Sequence, residues 1–276
     1  MASRHIVTIC TAVLVVVLRY GNARQASAES PIDCNAKVVL VDGGSKCLNA
    51  GESFIDGKGY PEMTVMPGGR IAAGKYEITF GQFGSYAKET GMKIWDDCIS
   101  PFGKWDKSYI KPGFEQRPTS PAVCISWSEA QGYASWLSSR TGQTYRLPTQ
   151  EEHASILEDG KAAVLAEANV CRYANTADLT LGRRFVLKSK AQCNDKYVFT
   201  APVGMKQPDE LGLFDVIGNA EEMVDTCPGK DSLTCAERAV DGGSWMSLPG
   251  ELGQRRFLAS WRSNTVGFRL VRDLKP

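Results

Sequence analysis

Three residue types limit the chemistry this 276-residue sequence can do. Cysteine is the first, with nine copies. Cys10 falls inside an apolar N-terminal run, and the other eight, Cys34, Cys47, Cys98, Cys124, Cys171, Cys193, Cys227 and Cys235, are spread along the rest of the chain. A thiolate is a nucleophile or a soft metal ligand, yet no C-x-x-C spacing occurs. An even number of dispersed cysteines fits four disulfides formed in an oxidising compartment. Pairing between nearest neighbours (34 with 47, 98 with 124, 171 with 193, 227 with 235) is the expectation, because each bridge would staple one local loop. Histidine is the second type: apart from His5 in the N-terminal run, the chain holds only His153. Zinc hydrolases, non-haem iron centres and histidine-ligated copper sites need more imidazoles than that. A Ser-His-Asp hydrolase would rest on His153 alone, with no G-x-S-x-G elbow to partner it. On the first turns of a helix, His153 reads as a packing residue with one hydrogen bond. Glycine is the third: Asp241-Gly242-Gly243-Ser244 resembles an anion cradle, but a lone Gly-Gly more often marks a tight turn.

The elements that must position these residues can be read in outline. Arg4, the apolar run from Ile6 to Leu18 and small residues through Ala26-Ser27-Ala28 form a secretory signal over 1–28. The run is shorter than the roughly 20 residues of a membrane span, so no stable span is expected after cleavage and the protein should be periplasmic or secreted. Residues 29–60 read as an N-terminal extension with a Cys34/Cys47 loop, and residues 61–276 as one domain. Formal charge is +1 with acids and bases interspersed, which argues against a nucleic-acid partner. Capping boxes beginning at Thr79, Ser126 and Thr149 predict helices over 80–89, 127–141 and 150–157, the first two stopped by Gly91 and Gly142. Short strands are expected at 63–66, 76–78 and 266–271. Dense glycine and proline elsewhere predict ordered loops, and the fold class is α+β with low regular secondary structure.

From Pro61 onward the order of motifs resembles the sulfatase-modifying-factor family, whose founding activity is formylglycine generation. The resemblance runs through Pro61-Glu62-Met63-Thr64-Val65-Met66-Pro67-Gly68-Gly69, Gly74-Lys75-Tyr76-Glu77-Ile78-Thr79, Val123 to Ala134, and Tyr145-Arg146-Leu147-Pro148-Thr149. It continues through Thr200-Ala201-Pro202-Val203-Gly204, Gly212-Leu213-Phe214-Asp215-Val216-Ile217-Gly218-Asn219, Gly242-Gly243-Ser244-Trp245 and Gly267-Phe268-Arg269. It implies the C-type-lectin-like formylglycine-generating-enzyme fold, stapled by disulfides. Two departures stand out. Many members read W-E-W where this chain has Glu221-Glu222-Met223, and the copper-binding cysteine pair maps to Ser247 and Leu252. A serine hydroxyl titrates too high to hold Cu(I) as a thiolate does, so no copper is expected.

The resemblance also implies two calcium sites, one at Asp215, Gly218, Ala220 and Glu222 and one at Asn175, Thr176, Asp195 and Tyr197. Both mix carboxylates with backbone carbonyls, as a hard cation requires. Cys171 and Cys193 flank the second. The family's C-terminal arginines lie by the substrate groove, which makes Arg256 and Arg262, with Trp245, candidate substrate contacts. Arg262 and Arg269 are alternatively buried partners of acids. Export and the missing cysteine pair are similar to periplasmic members that mature the pyoverdine chromophore. The activity implied is an oxidase or maturation enzyme acting on a peptide or peptide-derived molecule, with Glu221, Glu222 or Asp225 as proton acceptor and Ser247 in the old thiol position. The alternative is a non-catalytic binding module on the same frame.

Overall fold

In the computed structural model, residues 36–40, 43–103, 106–165, 170–225, 236–248 and 253–274 are described. They belong to one unit, Cys34–Pro276. The signal expected over 1–28 lies outside the described residues.

Local sequence explains the helices. At α1 (Phe80–Thr90), the Thr79 side chain accepts from the Gln82 backbone N–H and the Gln82 side chain accepts from that of Thr79. The same reciprocal pair, Ser126 with Glu129, opens α2 (Trp127–Thr141). A third, Thr149 with Glu152, opens α3 (Gln150–Leu165). Each box satisfies two backbone donors that the first turn leaves unpaired. Gly91 and Gly142 end α1 and α2 in the left-handed conformation, at φ of 64° and 65°. Helix α3 outruns the expected stop near Leu157, because Ala162, Ala163 and Leu165 are good helix formers. Two shorter helices follow, α4 (Val170–Tyr173) and α5 (Leu179–Arg184).

The strands are short and split among several sheets. A hairpin pairs β1 (Ala36–Val39) with β2 (Ser45–Leu48). The main sheet contains β3 (Ser53–Ile55), β4 (Glu62–Val65), β5 (Ile71–Gly74), β7 (Tyr145–Arg146) and β13 (Val271–Asp273), in the order β3-β4-β5-β13-β7. A second sheet, β10-β9-β8-β12, is built from β8 (Glu221–Val224), β9 (Glu237–Asp241), β10 (Arg255–Leu258) and β12 (Val266–Gly267). Finally β6 (Cys98–Ile99) pairs in parallel with β11 (Arg262–Ser263). Phe83, Tyr133 and Phe268 pack between α1, α2 and the chain entering β13, with ring centroids 5.7–6.1 Å apart. Burying three rings in edge and offset contacts anchors the core of the domain.

Two expected strands differ from the observed ones. Tyr76–Ile78 is not a strand. Glu77 turns inward there to accept from the Ala220 backbone N–H at 2.8 Å and from Asn219 Nδ2 at 2.6 Å, and Ile71–Gly74 pairs instead. The run over 266–271 divides: Val266–Gly267 joins β8 in parallel and Val271–Asp273 joins β5 antiparallel. Between them Arg269 turns its side chain into the core, where it donates to the Gly74 and Phe214 carbonyls.

Cysteines 98 and 124 are bonded to each other, as are 171 and 193, so nearest-neighbour pairing holds for these four. Cys47 is also disulfide-bonded, and Cys34, Cys227 and Cys235 lie outside the described residues.

Candidate substrate cavity and the acid cluster beneath it

Strand β8 contributes to both regions, because successive strand side chains point to opposite faces. Glu221 faces a cavity of about 550 Å³ whose lining includes Ser244, Ser247, Arg255, Arg256, Arg262 and Thr265, with Phe257, Trp261 and Met246 as apolar wall. Glu222 faces the interior. It shares both of its oxygens with Arg269, from Nη2 at 2.6 Å and Nε at 2.9 and 3.1 Å, and meets His153 Nε2 at 3.0 Å. Burial opposes the ionised form of Glu222, but Arg269 and His153 outweigh it and hold the carboxyl below its usual range. His153 is buried, and Glu222 is its one side-chain hydrogen-bond partner among the described residues.

In the cavity, Arg255 binds Glu221 through both Nε, 2.6 Å from Oε1, and Nη2. Arg262 is a wall post: Nε and Nη2 each reach Glu129 at 2.9 Å, and Nη1 reaches Asp97 at 3.0 and 3.1 Å. Arg256 is exposed on β10 and makes no ion pair among the described residues. Among the described residues the uncompensated charge of the lining is therefore positive.

Ser247 lines the cavity, and its Oγ accepts from the Ser244 backbone N–H at 3.0 Å. The turn that carries it requires glycine, since Gly242 and Gly243 have φ of 87° and 73° and a Cβ on Gly242 would lie 3.0 Å from the Val216 carbonyl. The turn reading of this run is therefore the right one.

Two sequence candidates lie elsewhere. Trp245 is 1% exposed and packs among Phe114 and Phe199, with Nε1 donating to the Asn264 carbonyl at 3.1 Å. It is a core residue, in a cluster with Ala177 and Leu181. Asp225 is exposed at the end of β8, its backbone N–H bonded to Pro148, and is not among the cavity residues. Leu252 lies outside the described residues. Sequence reasoning missed Ile99, Ser100 and Pro101, which enter the cavity on β6 and the residues after it. Their stretch has no periodicity, and only the Cys98 staple hinted at a fixed position.

The calcium donor sets can be tested on their oxygens. In the first, Asp215 is buried, its Oδ2 accepts from the Gly204 N–H at 2.7 Å, and its Oδ1 has no hydrogen-bond partner. Burial pushes this carboxyl up to about 6 against the opposing Gly204 bond. Gly218 has φ 82°, and a Cβ there would lie 2.2 Å from the Asn175 carbonyl, so only glycine lets the two donor segments touch. Glu222, by contrast, is committed to Arg269 and His153. In the second set, Asp195 accepts from the Thr176 and Tyr197 N–H groups at 3.0 and 2.8 Å, and Asn175 Oδ1 is buried without a partner. Lys206, which the sequence did not single out, places Nζ 2.9 Å from the Asp195 carbonyl and 3.2 Å from that of Cys171. Both sets thus keep one buried, unpartnered side-chain oxygen, which suits a hard cation. Among the described residues no group of three His, Cys, Asp or Glu converges on one point, so backbone carbonyls would supply the remaining ligands.

Comparison with known proteins agrees with this architecture. The chain is 28% identical over 189 residues to the formylglycine-generating enzyme of Streptomyces coelicolor, covering 57% of this chain and 54% of that one. It is 28% identical over 167 residues to the inactive C-alpha-formylglycine-generating enzyme 2 of Bos taurus, covering 57% and 52%. It therefore spans about half the length of these curated relatives. Among solved structures, PvdO from Pseudomonas aeruginosa superposes with a TM-score of 0.65 at 24% identity, covering 82% of this chain and 99% of that one, a likeness of fold. The model of the sulfatase-modifying factor enzyme 1-like domain matches residues 24–274, and the chain belongs to that family.

Proposed function

We propose that this protein is an exported maturation enzyme that takes a peptide-derived substrate bearing an anionic group into the arginine-lined cavity. The observation that carries this reading is the lining itself. Arg255 and Arg262 are neutralised by Glu221, Glu129 and Asp97, and Arg256 is left to meet a ligand. Phe257, Trp261 and Met246 supply apolar wall for the body of the substrate. Position 247 carries a hydroxyl, so copper held by a thiolate pair has no place in the proposal. Oxidation of the substrate would release protons, and Glu221 is the carboxylate in the lining placed to accept one. An external two-electron acceptor would be the second substrate. Calcium at the Asp215 and Asn175 sets would be a frame ion, outside the reaction. Export is the part of this reading that rests on the N-terminal signal, and no described helix is long and apolar enough to cross a membrane.

One observation favours the second reading, a binding module without catalysis: both oxygens of Glu221 are engaged by Arg255. A producing strain lacking the protein separates the two. The enzyme reading expects a peptide-derived precursor to accumulate, cleared by the wild-type protein and not by Glu221→Gln. Clearance by Glu221→Gln would favour the binding module, and an unchanged metabolite profile would defeat the maturation role.

A further inference from the structure

A second, smaller cleft of about 350 Å³ adjoins the first, lined by Trp95, Asp97, Ser260, Trp261 and Arg262. Trp261 and Arg262 line both cavities, so the two share a wall. Trp95 and Trp261, on two segments lining one cleft, are 43% and 45% exposed. Burying the indole surface that remains exposed would be favourable.

The cleft is also held rigidly. Asp97 and Glu129 grip Arg262 from two sides, Cys98 is bonded to Cys124, and β6 pairs with β11 directly below. The Trp261 backbone N–H donates to the Leu258 carbonyl at 2.8 Å. Lys93 Nζ stands 3.7 Å from the centre of the Trp95 ring, and the Arg262 guanidinium 5.6 Å from it. A cleft whose backbone is fixed before binding loses little freedom when a ligand arrives. Cations packed on an indole also favour a further aromatic ring, whose faces are electron-rich, over a basic group.

We infer that the Trp95–Trp261 cleft is a second subsite, which takes an aromatic side chain of the same peptide-derived ligand whose anionic group meets Arg256. This rests on the anion-binding reading of the larger cavity. It adds a substrate class, a peptide carrying one acidic and one aromatic residue.

The test is calorimetric titration with capped nonapeptides on a Gly/Ser background. Four sets carry one Glu and one Tyr at spacings of one to five residues, the Glu alone, the Tyr alone, or neither. The Glu/Tyr set should contain the tightest binders. Trp95→Ala should weaken the best of them by about three- to tenfold and leave the Glu-only peptides unchanged, whereas Trp261→Ala, which also removes wall from the larger cavity, should weaken the Glu/Tyr peptides more than the Glu-only ones. Arg256→Gln should weaken every Glu-containing peptide. Both tryptophans are partly exposed, so unchanged thermal midpoints are expected of the variants and serve as the folding control. Equal binding of the Glu/Tyr peptides by wild type and both tryptophan variants would overturn the subsite, and a loss confined to Arg256→Gln would then leave the anion reading standing. Failure of wild type to bind any nonapeptide would overturn the subsite too, with the anion reading judged separately on the precursor from the deletion strain.

Discussion

Glu221 and Glu222 are neighbours on one strand and are bound by arginines on its opposite faces. Arg255 holds the first at the cavity wall, and Arg269 holds the second in the core, where both partners are at most 1% exposed. The two pairs should respond differently to mutation. Removing one partner of a buried pair strands a charge and costs about 3–5 kcal/mol, so Arg269→Met is expected to fall in that range in urea unfolding. Arg255 is mostly in solvent although Glu221 is buried, and Glu221→Gln, which leaves the partner hydrated and keeps an amide oxygen to accept from it, should cost less, about 1–2 kcal/mol. Similar losses for both would mean that the cavity acid is part of the frame.

The Asp215 carboxyl, raised by burial from 3.8 to about 6, links stability to pH. Between those values the folded state binds more proton than the unfolded one, so stability falls as pH rises from about 4 to about 6. In chelator, Asp215→Asn should flatten that part of the profile. Calcium bound to the charged carboxylate would reverse the trend and raise stability by RT ln(1 + [Ca]/Kd), about 2.7 kcal/mol at a hundredfold excess over Kd. Thermal midpoints identical in calcium and in chelator would remove calcium from the account.

Cys171 and Cys193 close a loop of 22 residues across the Asn175 and Asp195 segments. Replacing both with serine should cost about 2–4 kcal/mol in chemical denaturation. If Asn175 and Asp195 hold an ion, the same variant should also lower calcium affinity. No change in stability would show that the loop is ordered by its own contacts, such as those Lys206 makes.

Trp245 stands beside the cavity residues in sequence and beneath them in space. Trp245→Ala should cost about 3–5 kcal/mol, measured by urea unfolding, with Trp245→Phe recovering most of it. A stable Trp245→Ala protein with weakened ligand binding would return this residue to the substrate site.

The helices were legible because their signals are local: each capping box names its own first turn, and Gly91 and Gly142 mark two of the ends. The bridges at 98–124 and 171–193 followed from the spacing of the cysteines. The family could be read from motif order, and with it the placing of Ser247, Glu221, Arg256 and Arg262 on one cavity. What stayed hidden depends on long-range contacts. Nothing near Glu77 says that it will leave its strand to cap Ala220, nor does the pattern around Trp245 say that it turns inward while Ser247 turns out. The Ile99–Pro101 wall was invisible for the same reason, since its position depends on pairing with the distant Arg262 and Ser263.

The central claim is that Arg256, which has no ion-pair partner among the described residues, offers its cation to an anionic, peptide-derived substrate. Its most direct test is equilibrium binding of the precursor that accumulates in the deletion strain, compared between wild type and Arg256→Gln. Loss of a charge-assisted hydrogen bond predicts affinity weaker by about tenfold or more, with an unchanged thermal midpoint. Equal affinity for the two proteins would contradict the account.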